Sequence, residues 1–195
     1  MSGVAIRPGV PAAQRSAAAF LYWQAFAEKL GRILGPEPQA LAYLARVMRE
    51  DQVLSACDAD GQLIGLGGFR TAAGAFAIGR WPDMAAVYGR GGAAWRAAAL
   101  HLLAQDHDPA AFLIDGLAVA PAMRGRGIGT ALIAALCHEA RTRGHGEVWL
   151  DVADGNTRAR ALYERLGFTA RHSMRTGVVG PLFGIASVTR MVRPL

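Results

Sequence analysis

Apolar residues recur along the chain with two periods. Residues 14–34 place Phe20, Trp23, Phe26, Ala27 and Leu30 at helical spacing, and residues 37–49 repeat the pattern with Leu41, Leu44, Ala45 and Met48. Gly35-Pro36 stops the first helix. Short apolar runs over 4–7, 52–58 and 62–70 predict strands, the last two joined as a hairpin through Asp58-Ala59-Asp60-Gly61. Gly65, Gly67 and Gly68 either weaken that hairpin's second strand or mark a bulge or close packing. Residues 71–81 read as loop or short strand. Pro82 opens a helix to Tyr88, Gly89-Arg90-Gly91-Gly92 breaks it, and a further helix over 93–105 carries Trp95, Ala98, Ala99, Leu102 and Leu103. His107-Asp108-Pro109 then turns the chain.

The next stretch, residues 113–130, reads LIDGLAVAPAMRGRGIGT. Its apolar run is interrupted by Asp115-Gly116 and ended by Pro121; a glycine-rich loop with Arg124 and Arg126 follows, and a helix over 130–143 after that. Glycine lets backbone approach a ligand closely and take positive φ. The first N–H groups of a helix lack intrahelical partners at the positive end of its dipole. Strand, glycine loop and helix therefore predict an anion site, such as a phosphate would fill. Beyond it come a strand over 147–152, a helix over 157–166 capped by Asn156 and closed by Gly167, and strands over 168–176 and 185–192. Ala159, Leu162, Tyr163 and Leu166 share one side of that short helix. The order predicts an α+β fold with a mixed sheet, in which the strands flanking the central helix are parallel neighbours.

Composition narrows the classes. The 195 residues are 52% hydrophobic and 18% charged, which suits one folded domain over 1–195 with a helical insertion at 71–110. The net charge of +6 is carried almost wholly by arginine, since Lys29 is the only lysine. These arginines are scattered, so the balance favours an anionic ligand over nucleic acid. Cys57 and Cys137 are isolated, fall in apolar runs and read as reduced buried thiols; they form no disulfide framework or metal site. No apolar run reaches the ~18 residues of a membrane span. Ala25-Phe26-Ala27 after an apolar run mimics a signal cleavage site, but the strand before it and the helix continuing through Glu28 and Lys29 predict a cytoplasmic chain.

Two motifs carry a family resemblance. Arg124-x-x-Gly127-x-Gly129, after a strand ending V-x-P, resembles the acetyl-CoA loop Q/R-x-x-G-x-G/A of the GNAT N-acetyltransferase superfamily. Asn156-x-x-Ala159-x-x-Leu162-Tyr163-x-x-x-Gly167-Phe168 is similar to the same family's second signature. The match is tight over residues 113–169, whereas the 71–110 insertion departs from the short connection of many members. The resemblance implies a mostly antiparallel sheet with a central parallel pair splayed for the cofactor. It implies acetyl transfer from acetyl-CoA to an amine by direct attack in a ternary complex, without a metal. The pyrophosphate is then expected on the backbone of Arg124, Gly125, Arg126, Gly127, Ile128, Gly129 and Thr130. The pantetheine arm is expected along Leu117, Ala118 and Val119 as a short strand-like addition, with Asn156, Ala159 and Tyr163 also at the cofactor.

An alkyl amine, of pKa ~10.4, needs a base or a site selecting its neutral form. The developing oxyanion needs a donor, for which the Val119 N–H is the candidate. By resemblance Tyr163 is the acid at the leaving thiolate. Asp115, two residues before Leu117, is expected on the same face as Leu117 and Val119 and is the leading base, with Asp151 or a water as alternatives. His138 and His145 read as surface residues, and His172 is unassigned. The acceptor is left open between a small amine, an amino acid, an aminoglycoside-like compound and a peptide N-terminus. Tyr22, Trp23, Trp81, Tyr88 and Trp95 offer either core or acceptor surface, or a face packed on a second subunit in a homodimer. The alternative to an enzyme is a GNAT-like fold that senses acyl-CoA or binds a protein without turnover.

Overall fold

The computed structural model describes residues 3–103, 108, 110–175 and 187–195. The elements run β1 (Ala5–Pro8), α1 (Arg15–Leu34), α2 (Glu37–Val47), β2 (Val53–Cys57), β3 (Leu63–Thr71), β4 (Gly74–Ala75), α3 (Trp81–Leu103), β5 (Phe112–Val119), α4 (Ile128–Thr142), β6 (Glu147–Ala153), α5 (Thr157–Arg165), β7 (Thr169–Arg175) and β8 (Ser187–Pro194). The sheet order is β1-β2-β3-β5-β6-β8-β7, with the two-residue β4 paired to β3. Among the described residues β5 and β6 form the parallel pair, and the other pairings are antiparallel. The mixed α+β architecture expected from the pattern is the one observed. The expected helix end at Gln105, the turn residues His107 and Pro109, and the strand ends Thr176, Ile185 and Ala186 lie outside the described residues.

Each face of the sheet is covered by its own helices. On one side α4 contributes Ile128, Leu132, Ile133, Leu136, Cys137 and Ala140 to a core with Phe69, Phe112, Ile114 and Leu150. On the other, α1, α2 and α3 pack Ala18, Tyr22, Trp23, Tyr43, Leu44 and Met84 against Leu66, Phe76 and Ala118. The β3 glycines let both layers approach closely. A Cβ at Gly67 would come within 2.9 Å of Leu136 on the α4 side, and one at Gly68 within 2.6 Å of Phe76 on the other. Close packing, one of the alternatives for these glycines, is therefore their role.

The apolar stripe expected on α1 is out of phase at one position. Phe20 is 45% exposed, and the buried side is built on Ala18, Ala19, Tyr22, Trp23, Ile33 and Leu34. Small alanines facing the neighbouring elements allow close approach, and this turns the bulkier Phe20 outward. Trp95, left open between core and surface, is exposed and stacks on the Arg96 guanidinium. The break expected at Gly89 is a kink, at φ 68°, between two helical stretches of α3. Cys57 and Cys137 are buried free thiols. Among the described residues no helix is long and apolar enough to cross a membrane.

Candidate active site

The parallel pairing of β5 with β6 covers Phe112–Val148, Leu113–Trp149 and Ile114–Leu150, and stops there. β5 runs on to Val119 beside β3, and β6 runs on to Ala153 beside β8. The two central strands therefore part after Ile114 and Leu150, leaving a gap between 115–119 and 151–153. Hydrogen-bonding direction alternates along an antiparallel strand. The Ala120 N–H bonds Ile64 at 2.9 Å, so those of Leu117 and Val119 point the other way, into the gap. The Val119 carbonyl accepts from Arg124 Nε at 3.2 Å.

A β-bulge sits where the strands part. Gly68 pairs with Gly116 and the next β3 residue, Phe69, with Ile114, so Asp115 is the extra residue on β5. The bulge reverses the alternation. Phe112 and Ile114 before it, and Leu117 and Val119 after it, all pack on the α4 side, whereas Ala118 faces α1. Asp115 thus does not share the face of Leu117 and Val119, as even spacing alone had implied. Its Oδ2 accepts from Arg70 Nη2 at 3.1 Å, and it lies beside Tyr22 on the α1 side. Tyr22 is packed against Phe26 and Phe76, and its phenol is pushed well above the ordinary range by burial and then by the Asp115 charge, with Arg70 opposing.

The loop after β5 makes one short 3-10 turn, Pro121–Met123, before α4 begins. Gly125 and Gly127 both have φ near 79°, and Gly127 occupies the N-cap position of α4 without a side-chain cap. Only glycine takes that conformation without strain. The first N–H of α4 to find a backbone acceptor is that of Ala131, which bonds Gly127 at 3.0 Å. Those of Ile128, Gly129 and Thr130 are left to a ligand or solvent at the positive end of a 15-residue helix. The Arg124 N–H is already committed to the Pro121 carbonyl at 3.3 Å, so the open donors begin at Gly125. A Cβ at Gly125 or Gly127 would meet nothing within 4 Å, so positive φ rather than crowding is what calls for glycine there.

Asn156 caps α5, its Oδ1 accepting from the Ala159 N–H at 3.1 Å. One turn further on, Tyr163 packs among the α4-side residues, its ring 5.9 Å from that of Phe168. Burial raises its phenol pKa, so it is protonated at neutral pH. Asp151 accepts through both oxygens from one edge of a buried guanidinium, Arg190 Nε at 2.8 Å and Nη2 at 2.9 Å. Of the histidines, His138 and His172 are exposed, while His145 is half-buried with its ring edge on Phe112 rather than fully at the surface.

Arg70 escaped the sequence reading. It occurs once, at the end of a glycine-rich strand, and only the alternation Leu66, Gly68, Arg70 hints at its face. Among the aromatics weighed for the acceptor, Tyr22 and Trp23 are buried and Tyr88 donates to the Leu34 carbonyl at 2.6 Å, while Trp81 and Trp95 are exposed.

A mixed sheet whose central parallel strands part beside a glycine-capped helix is the architecture of solved acetyltransferase structures. The Acetyltransferase (GNAT) family matches residues 18–168, and the chain belongs to it. Among curated relatives, a streptothricin acetyltransferase of Streptomyces lavendulae is 44% identical over 55 residues, which cover 28% of this chain and 29% of that protein. A mycothiol acetyltransferase of Corynebacterium glutamicum is 41% identical over 69 residues, covering 35% of this chain and 24% of that one. The chain thus spans under a third of the length of either relative. A solved structure titled as a histone acetyltransferase HPA2 and related acetyltransferase, also from Corynebacterium glutamicum, superposes with a TM-score of 0.67 at 21% identity, covering 100% of this chain and 97% of that one. At that identity the likeness shows the fold.

Proposed function

We propose that the chain is an N-acetyltransferase that moves the acetyl group of acetyl-CoA to a primary amine by direct attack, as a soluble cytoplasmic enzyme. The observation that carries this reading is the gap between β5 and β6. Its outward N–H groups on Leu117 and Val119 are followed, after one short turn, by the open donors of Gly125, Arg126, Gly127, Ile128, Gly129 and Thr130. An extended amide-bearing arm ending in a pyrophosphate fits such a track, because backbone donors recognise the first and a helix N-terminus the second. When bound, acetyl-CoA supplies a thioester carbonyl.

The residues around the bulge supply the proton chemistry. Asp115, reached from the α1 side, takes one proton from the ammonium and passes it to water. The freed nitrogen lone pair forms the C–N bond while the Val119 N–H bonds the oxygen on which charge develops. As the C–S bond breaks, its electron pair leaves with sulfur and the Tyr163 hydroxyl donates a proton there. The second nitrogen proton returns through solvent to the tyrosinate. The balance is amide, CoA thiol and one released proton. Asp115 is preferred over Asp151 because Asp151 has both oxygens engaged by Arg190, whereas Asp115 gives one oxygen to Arg70.

Thermal melting with acetyl-CoA, CoA and an oligonucleotide tests the binding half, since a ligand held only by the folded state raises the melting temperature. A shift with acetyl-CoA and CoA and none with the oligonucleotide is expected; no shift at millimolar acetyl-CoA would overturn the reading. Thiol release on a panel of amines then separates an enzyme from a sensor of acyl-CoA. Tyr163→Phe is expected to lower kcat about 10²-fold, the low end for a general acid, because a thiolate of conjugate pKa ~8.5 leaves readily. Its acetyl-CoA melting shift stays unchanged, and an unaltered rate would remove Tyr163 as the acid.

A further inference from the structure

A cavity of about 250 Å³ opens on the α1 side of the bulge, lined by Arg49, Arg70, Thr71, Gly74, Ala75 and Ile78. Its polar wall is rich in donors, and the two guanidinium groups in it differ. Arg49 is the more engaged: Nε and Nη2 grip Asp51 at 3.0 and 2.6 Å, and Nη1 donates to the Ala73 carbonyl at 2.8 Å, three of its five N–H groups. Arg70 gives Nη2 to Asp115 at 3.1 Å, while its Nε is buried without an acceptor. Arg70 thus has fewer of its N–H groups engaged than Arg49 among the described residues, and it touches the carboxylate assigned above as the base.

We propose that the acceptor is a small amine bearing a carboxylate close to its nitrogen, as in an amino acid, and that Arg70 binds this carboxylate in the cavity. The proposal rests on the acetyl-transfer reading. The Arg70 guanidinium is part-buried, and in the free protein Asp115 is its partner. An acceptor carboxylate on Arg70 keeps that charge paired when Asp115 turns to the amine. Arginine suits the task because its planar fork binds a carboxylate through two parallel N–H bonds. A cavity of this size has room for a small carboxylate-bearing acceptor.

The test compares matched acceptors that differ only at the carboxylate: α- and β-amino acids, their primary amides and the corresponding alkylamines. With the wild-type chain and acetyl-CoA, kcat/KM is expected to be at least about 100-fold higher for the acid than for its amide, the span of roughly one charge-assisted bidentate contact. In Arg70→Gln this ratio falls to near one, in Arg70→Lys it is partly kept, and the acetyl-CoA melting shift is unchanged in both. Had Arg70 only a structural role, Arg70→Gln would lower acid and amide equally and leave the ratio intact, which overturns the proposal. A wild-type ratio near one also overturns it while acetyl transfer stands. If no amine is turned over, the N-acetyl amino acids are titrated in melting assays with CoA present. A shift lost in Arg70→Gln supports the proposal, and no shift by any carboxylate overturns it. Absence of any acetyl-CoA shift brings down the functional reading, and the proposal with it.

Discussion

The two faces of the sheet meet at β5 and solve different recognition problems with different chemistry. On the α4 side the candidate cofactor track is almost entirely backbone: N–H groups of the splayed β5, of the glycine loop and of the first turn of α4. On the α1 side the polar groups of the candidate acceptor site are side chains, contributed by the segment after α2 (Arg49), by β3 (Arg70, Thr71) and, beside Arg70, by the bulge itself (Asp115). A backbone site demands glycines at fixed positions and a helix starting at a fixed place, so it leaves a local spacing in the chain. A side-chain site can be assembled from any residues that the fold brings together, so it leaves none. That difference also sets how each half should fail.

The largest expected effect is on the backbone site. Gly127→Val puts a β-branched residue at φ near 79°, a conformation that costs about 1–2 kcal/mol for an L-residue and is a true outlier for valine. The loop relieves this by turning its N–H groups away from the ligand. Acetyl-CoA affinity should drop about 100-fold, equivalent to about 2.7 kcal/mol, by calorimetry. The melting temperature without ligand should move by only a few degrees, because no atom lies within 4 Å of the new Cβ. Unchanged affinity would mean that the ligand does not lie on this loop.

The legibility of the chain follows the same division. The helix after the glycine loop, the capped α5 with Tyr163, and the parallel pairing of β5 with β6 were readable from local rules of spacing, capping and strand order, whereas the parting of those two strands was implied by the family resemblance. The order of elements was readable as well, and boundaries fell within a few residues. What could not be read was the face of Asp115. Alternation along a strand is reliable until one residue is inserted against the partner, and nothing local in Ile114-Asp115-Gly116 announces the bulge. The same limit applies to Phe20, whose outward direction depends on which side of α1 the small alanines present to the rest of the fold. The pairing of Arg70 with Asp115 spans 45 residues and has no sequence signature.

A smaller and opposite failure is expected from Gly116→Ala. The added Cβ would lie 2.8 Å from Tyr22 Cε2 and 3.3 Å from its hydroxyl. The ring is pinned by Phe26 at 4.5 Å and Phe76 at 5.6 Å, so relief must come from a shift of α1 against the bulge. Overpacking of this kind costs about 1–3 kcal/mol. The melting temperature falls and the acceptor KM rises, while the acetyl-CoA shift is retained because the altered contact lies on the α1 side. Equal loss of cofactor and acceptor binding would show that the two faces are not separable at β5.

The smallest effect concerns a residue with two assignments on the cofactor side. Asn156 accepts from the Ala159 N–H at 3.1 Å, and the family resemblance also places it at CoA. Asn156→Ala removes a cap worth about 1 kcal/mol. For a chain of this size that lowers the melting temperature by about 2–4 °C. α5 has only 9 residues, none fully buried, so fraying at its start reaches Tyr163 in the second turn, and turnover should fall modestly with it. Asn156→Asp separates the roles. Aspartate keeps the accepting oxygen, caps as well as asparagine, and adds negative charge where the helix dipole favours it. If the side chain only caps, Asn156→Asp restores melting temperature, turnover and acetyl-CoA affinity together. If its amide also contacts the cofactor, the aspartate variant recovers the melting temperature of the free protein but not the affinity, because a carboxylate has replaced an amide donor beside an anionic ligand.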